Sequence, residues 1–152
     1  MKLAFRETHA SEALCHYHID VARRLRTETY QGRVGLEEMR SMAQCMVSDP
    51  LWSMEHHSLI DLRAADLELT ANEILRLALL QRQDAHYSKG WRAYVATTST
   101  TFGVVRMLTR WARTSERSLF FRTLAEAENW LNANAEGWGP EQEAVAPLRK
   151  IG

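Results

Sequence analysis

The sequence predicts an α/β domain built on a mixed sheet, and three observations carry that reading. Short apolar or alternating runs that suit strands recur between stretches with helical spacing. Glycine, proline or a capping pattern marks most of the boundaries. The first two strand-like runs are separated only by Ala22, Arg23 and Arg24, so the sheet opens with an antiparallel hairpin before any helix intervenes.

Residues 1–14 read as an irregular lead-in. Tyr17–Val21 and Leu25–Gln31 are the two opening strands. In the second, Leu25, Thr27 and Thr29 alternate with Arg26, Glu28 and Tyr30, the period-two pattern of a half-exposed strand. Gly32 and Gly35 bracket a break. Leu36–Val47 then has helical spacing, with Leu36, Met39, Ala43, Met46 and Val47 on one face, and Asp49-Pro50 stops it. Ser58–Leu62 is a short apolar run of the kind buried on both faces of a parallel sheet.

Thr70 and Glu73 have the spacing of a capping box and begin a helix that runs to about Gln83. Its apolar sector, Ile74 to Leu80 with only Arg76 interrupting, is wide enough to require more than one neighbour. Ile74, Leu77 and Ala78 are expected on the sheet, and Leu75 and Leu79 against an apolar pocket or a second subunit. Trp91–Ala96 is a further buried strand. The hydroxyl run Thr97–Thr101 follows, then a helix over Phe102–Ser115 and a last strand over Leu119–Arg122. Thr123 and Glu126 repeat the capping-box spacing and open a helix through Leu131. Residues 132–152 have the composition of a tail, with Trp138 between two glycines as a candidate for docking back. The domain thus occupies residues 15–131 in the order β-β-α-β-α-β-α-β-α. Its five-stranded mixed sheet pairs in parallel, through right-handed crossovers, after the opening hairpin.

Bulk properties narrow the function classes. A chain of 152 residues, 45% hydrophobic and 25% charged, fits one globular domain. At that size about 68–70% of the unfolded surface is buried, enough for a core without disulfides or metal. Lys+Arg and Asp+Glu are both 19, and this zero net charge argues against a nucleic-acid partner. Cys15 and Cys45 form neither a CxxC nor a His/Cys cluster. Met1–Ala13 is interrupted by Lys2, Arg6, Glu7, His9 and Glu12, which fits neither a signal peptide nor a membrane span. The expectation is a cytoplasmic protein with reduced thiols.

Several segments resemble a known family when taken in order. They are Gly32–Glu38 followed by Asp49-Pro50, Ile60–Arg63, Ala93–Ala96, Phe102–Met107 and Phe121–Leu131. Together they resemble the SpoIIAA-like family of small bacterial proteins over about residues 17–131. The resemblance implies a fold shared with STAS domains and related to the lipid-binding CRAL-TRIO domains. Most members of this branch have no assigned biochemical activity, so the resemblance bears on the fold more than on the function. STAS anti-sigma antagonists are phosphorylated in an Asp-Ser-Ser-Gly motif, which falls here on Leu69-Thr70-Ala71-Asn72. Only Thr70 keeps a hydroxyl, so a phospho-switch there would act on a degraded motif, and an N-cap role explains Thr70 without it.

The leading candidate site is the hydroxyl run with the helix start after it. Ligands of parallel sheets gather beyond the carboxyl ends of strands, and helix N-termini attract anions. Thr98, Ser99, Thr100 and Thr101, with Arg106 about one turn inside, form an expected anion site; an ordinary capped helix is the plain alternative. Arg110, Arg113 and Arg117 continue from Arg106 at spacings of 3 and 4 and would line one helix face. That face is either a solvated stripe or a docking strip for an acidic partner or phosphate. Leu75 and Leu79 are the candidate apolar pocket or interface. His16 and His18 point the same way but lack a third ligand, His56 and His57 are adjacent, and Asp61 reads as a capping carboxylate. No GxSxG, P-loop or GxGxxG occurs, Cys45 has no evident base, and no catalytic residue, metal or cofactor is assigned. The functional expectation is a non-enzymatic domain binding a partner protein or an anionic ligand. A lipid or apolar-metabolite binder is the alternative, and a second copy of the chain is one candidate partner.

Overall fold

The computed structural model describes residues 12–134, the side chain of Asp84 excepted. Strand β1 (Leu14–Asp20) and strand β2 (Leu25–Val34) form the opening hairpin, in register from Leu14 opposite Gln31 to Asp20 opposite Leu25. The Arg24 N–H donates to the Val21 carbonyl at 3.1 Å to close the turn. The chain continues through α1 (Leu36–Val47), β3 (His57–Leu67), α2 (Ala71–Gln81), β4 (Arg92–Val95), α3 (Ser99–Trp111), β5 (Ser118–Phe121) and α4 (Leu124–Asn134). Single 3-10 turns at Asp84–His86 and Ser115–Arg117 lie in the connections before β4 and β5. The α/β class, the element order and the mixed sheet are as the sequence predicts. The strands lie in the order β1-β2-β3-β4-β5, and every pair after the first is parallel.

Each crossover steps one strand in the same direction, so right-handed connections put α1, α2 and α3 on one face of the sheet. That helical face buries Cys15, Tyr30, Met42, Ile60, Tyr94 and Val105 in one cluster. The opposite face packs under α4, where Ala127 and Leu131 meet Leu25, Leu59, Ala93, Val95 and Leu119. The second strand therefore does not expose its charged side. Arg26, Glu28 and Tyr30 are all buried, and they lie on the helical face.

Helix α2 does not rest on the sheet. Its buried residues Ile74, Leu77 and Ala78 cluster with Leu36 at the start of α1 and with Leu108 and Ala112 at the end of α3. The expectation that these three pack on strands is corrected here. The reason is spacing. Crossover helices over successive strand gaps would be centred about 4.8 Å apart, half the diameter of a helix. The middle one is pushed outward and rides on its neighbours.

Other departures are local. Strand β3 runs to Leu67 because it pairs with β2 as far as Val34, across an irregularity between Thr29 and Gln31. Helix α3 begins at Ser99 and absorbs the hydroxyl run. Helix α4 continues to Asn134, past the expected end at Leu131. Residues 1–11 and 135–152, Trp138 among them, lie outside the described residues.

Two substitutions test this architecture. The Thr70 hydroxyl accepts from the Glu73 N–H at 3.1 Å and the Glu73 carboxylate accepts from the Thr70 N–H at 3.0 Å. Thr70→Ala should therefore lower unfolding free energy by about 1 kcal/mol in urea titrations, while Thr70→Asp, which also caps, should remain near the parent. At Gly90 a Cβ would run into the His56 carbonyl and come within 2.8 Å of His57 Nδ1. Because backbone blocks the way, Gly90→Ala should cost about 1–3 kcal/mol in the same titration; a neutral result would show that the loop before β4 relaxes freely.

Candidate functional site

The parallel register sorts the helical face into rows. Arg26, Ser58, Arg92 and Ser118 are successive partners across β2, β3, β4 and β5, at the amino ends of these strands. The next row is Glu28, Ile60, Tyr94 and Phe120. Tyr30 and Leu62 lie beyond, in the apolar cluster. The face thus passes from charged at the amino ends to apolar toward the carboxyl ends.

Arg26 is 1% exposed. Its Nη2 donates to Ser58 Oγ at 2.8 Å and its Nη1 to the Ser53 carbonyl at 3.4 Å, while its guanidinium lies 4.2 Å from the Trp52 ring centroid. Its Nε–H has no hydrogen-bond partner. Burial depresses the Arg26 pKa to about 10; the Glu28 charge opposes that shift, and the Arg92 charge adds to it. Glu28 accepts from the Tyr30 hydroxyl at 2.9 Å, and burial together with that carboxylate raises the Tyr30 pKa well above the ordinary phenol value. Arg92 is half-buried, and its Nε–H donates to the Tyr94 hydroxyl at 3.1 Å.

Two cavities adjoin this row. The inner one, about 70 Å³, lies between the sheet face and the helices. Its floor includes Arg26, Glu28, Ile60 and Tyr94. Met39 and Ala43 of α1 and Val104 and Leu108 of α3 form its sides, and Leu77, Leu80 and Gln81 of α2 its roof. The outer one, about 350 Å³, is bordered by Arg82, Arg92, Arg113 and Arg117, with His86, Tyr87 and Ser88. No Asp or Glu is among its described lining residues. Gln81, His86 and Arg92 line both cavities.

Arg117 is fixed by donation from Nη2 to the Ser88 carbonyl at 2.9 Å and by Tyr87, whose ring centroid is 5.5 Å away. Its Nε–H is buried without a partner, as is Gln81 Oε1. Burial lowers the Arg117 pKa; Tyr87 works against this and Arg92 with it. Arg82 and Arg113 are exposed at the rim.

The hydroxyl run assembles differently from the expected anion site. Thr98 is the N-cap of α3: its Oγ1 accepts from the Thr101 N–H at 3.2 Å and donates to Thr101 Oγ1 at 3.0 Å. Thr101 is buried, whereas Thr98, Ser99 and Thr100 are exposed. Since α3 starts at Ser99, Arg106 lies nearly two turns in, about 10 Å along the axis, and is exposed. The arginine stripe divides. Arg106 and Arg110 stay on the wet side of α3, but the helix ends at Trp111 and Arg113 takes a left-handed conformation (φ 63°). This reversal carries Arg113 and Arg117 to the outer cavity. Leu75 and Leu79 are exposed on α2, and the inner cavity meets Leu77 and Leu80 instead.

The remaining candidates lie apart from both cavities, His56 and His57 beside Gly90 among them. His16 and His18 are exposed, and His57 Nδ1 accepts from the Trp91 N–H at 3.0 Å. No group of three or more His, Cys, Asp or Glu suited to a metal occurs among the described residues. Asp61 accepts from the Arg63 guanidinium at 2.8 and 2.9 Å. Cys15 is buried, and burial, with the Glu38 charge, pushes its pKa to about 11. Among the described residues no helix is long and apolar enough to cross a membrane.

Arg26, Arg92, Gln81 and His86 escaped the sequence reading. One signal for Arg92 was present: a lone arginine inside the apolar run Trp91–Ala96. No family model, curated protein or solved structure matches the chain.

The titration of this end has a defined sign. Burial lowers the pKa of both His56 and His86, and for His56 the charges of Arg26 and Arg24 add to it. The unfolded chain, with histidines near 6.5, then binds protons that the fold resists, so stability falls as pH drops below about 6.5. Urea denaturation should give a lower unfolding free energy at pH 5.5 than at pH 7.5. His86→Gln should flatten that slope, and a rise in stability toward pH 5.5 would contradict the assignment.

Proposed function

We propose that this chain is a non-enzymatic binding domain for a small organic anion, held in the outer cavity at the amino ends of the parallel strands. One observation carries this reading. A cavity of about 350 Å³ is bordered by four arginines and by no carboxylate among its described lining residues. The volume lies in the usual range for ligand pockets, about 300–1,000 Å³. Guanidiniums that crowd one another in a half-buried site gain most from an anion, and their forked donors match phosphate and carboxylate oxygens. Arg92 and Arg117 supply the inner donors and Arg82 and Arg113 the rim. In this reading the domain acts in a bacterial cytoplasm as a regulatory module whose ligand alters what it presents to a partner. Membership of the SpoIIAA-like family belongs to the same proposal and rests on the segments quoted above.

Thermal unfolding at low ionic strength tests it. Phosphate or sulfate should raise Tm above that in chloride of equal ionic strength; a ligand at 100 times its Kd adds about 2.7 kcal/mol. Arg117→Gln and Arg113→Ala should weaken the response, whereas Arg106→Ala and Arg110→Ala should respond as the parent does. No anion-specific stabilisation of the parent, or a response lost in Arg106→Ala and kept in Arg117→Gln, would remove the site from this cavity.

A further inference from the structure

We infer that the bound anion carries a short apolar group, and that this group enters the inner cavity beneath α2. The inference rests on the anion-binding reading and adds the class of molecule: a short-chain organic phosphate or carboxylate in place of a bare inorganic ion.

The two cavities are neighbours, since Gln81, His86 and Arg92 line both. A head group on Arg92 and Arg117 therefore stands beside the inner space. The sheet beneath changes character in the same direction, from the Arg26–Ser58–Arg92 row through Glu28, Ile60 and Tyr94 to Tyr30 and Leu62 in the apolar cluster. Apart from Gln81, the roof and sides are apolar: Leu77 and Leu80 of α2, Ala43 of α1, Val104 and Leu108 of α3. An apolar group placed against these side chains leaves water for apolar surface.

The junction carries its own request. Arg26 Nε–H, a donor, and Gln81 Oε1, an acceptor, are buried without partners. Both residues line the inner cavity. Buried polar groups are otherwise almost always paired, so a ligand hydroxyl or amide facing either atom would supply its missing partner. The volume sets the limit. About 70 Å³ accommodates a few carbons and excludes a long acyl chain. The charge sign is also set at the junction: Arg26 and Arg92 flank a single carboxylate, Glu28, which already accepts from Tyr30.

Calorimetric titration of the full chain with inorganic, methyl, propyl, butyl and octyl phosphate tests the idea. Affinity should rise by up to about fourfold per methylene from methyl to butyl, the factor for complete burial of each group. It should then level off or fall at octyl. Ala43→Leu, which fills the inner cavity, should abolish the gain and leave inorganic phosphate binding unchanged. Leu80→Ala, which enlarges the cavity, should move the optimum to a longer chain, and it serves if Ala43→Leu does not fold. If phosphate binds but the alkyl series is flat, or if neither variant alters the series, the inner cavity takes no tail and the anion site stands alone. A gain that continues through octyl overturns the size limit. If neither inorganic phosphate nor any alkyl phosphate binds, the anion-binding reading itself fails.

Discussion

Arg26 and Arg92 project from the same face of the sheet with one strand between them, so their backbones lie about 9.6 Å apart at ordinary strand spacing. Two guanidiniums at that distance under a helical layer repel each other and lose hydration. The surrounding structure answers both costs. Trp52 covers Arg26, the intervening Ser58 accepts from it, and Tyr94 accepts from Arg92. Glu28 sits one row further in and offsets part of the positive charge. The compensation is incomplete, as the partnerless Nε–H of Arg26 and the depressed pKa of its guanidinium show.

The same constraint explains why the candidate site lies at the amino ends of the strands. Toward the carboxyl ends the space is filled by rings: Tyr94 stacks on Phe120 at 5.6 Å and Phe102 meets Phe120 at 6.2 Å. The Thr98 cap completes that end with its own hydroxyl. At the amino ends the row is polar, and the connections from α1 to β3 and from α2 to β4 meet over it. The Lys89 N–H donates to the Met54 carbonyl at 2.7 Å, and Gly90 admits the His56 backbone. Raising α2 off the sheet leaves the gap that becomes the inner cavity. The common rule places ligands at carboxyl ends, and here the cavity of about 350 Å³ bordered by arginines is at the other end.

Local chemistry was legible wherever short-range forces decide. The helix over Leu36–Val47, the Thr70–Glu73 capping box, the opening hairpin and the alternation of strand with helix all follow from periodicity, breakers and hydrogen bonds reaching three or four residues. The hydroxyl run was legible as polar, yet its role was misplaced by the helix start: three residues decide whether Thr98 and Thr101 present donors to a ligand or bond to each other.

Class, element order and charge balance follow from the amino-acid sequence alone, because these depend on near neighbours and on composition. Which face of β2 is covered depends on long-range packing. A period of two gives alternation but not direction, and here the charged side of the strand is turned inward beneath the helical layer. Long-range packing also decides that Arg92 and Arg117, 25 residues apart in the chain, share a cavity with Arg82 and Arg113. That meeting requires β4 to follow β3 in register and α3 to end in a left-handed residue at Arg113. Neither condition is written in the local pattern, since both follow from how strands and helices exclude one another's volume once packed.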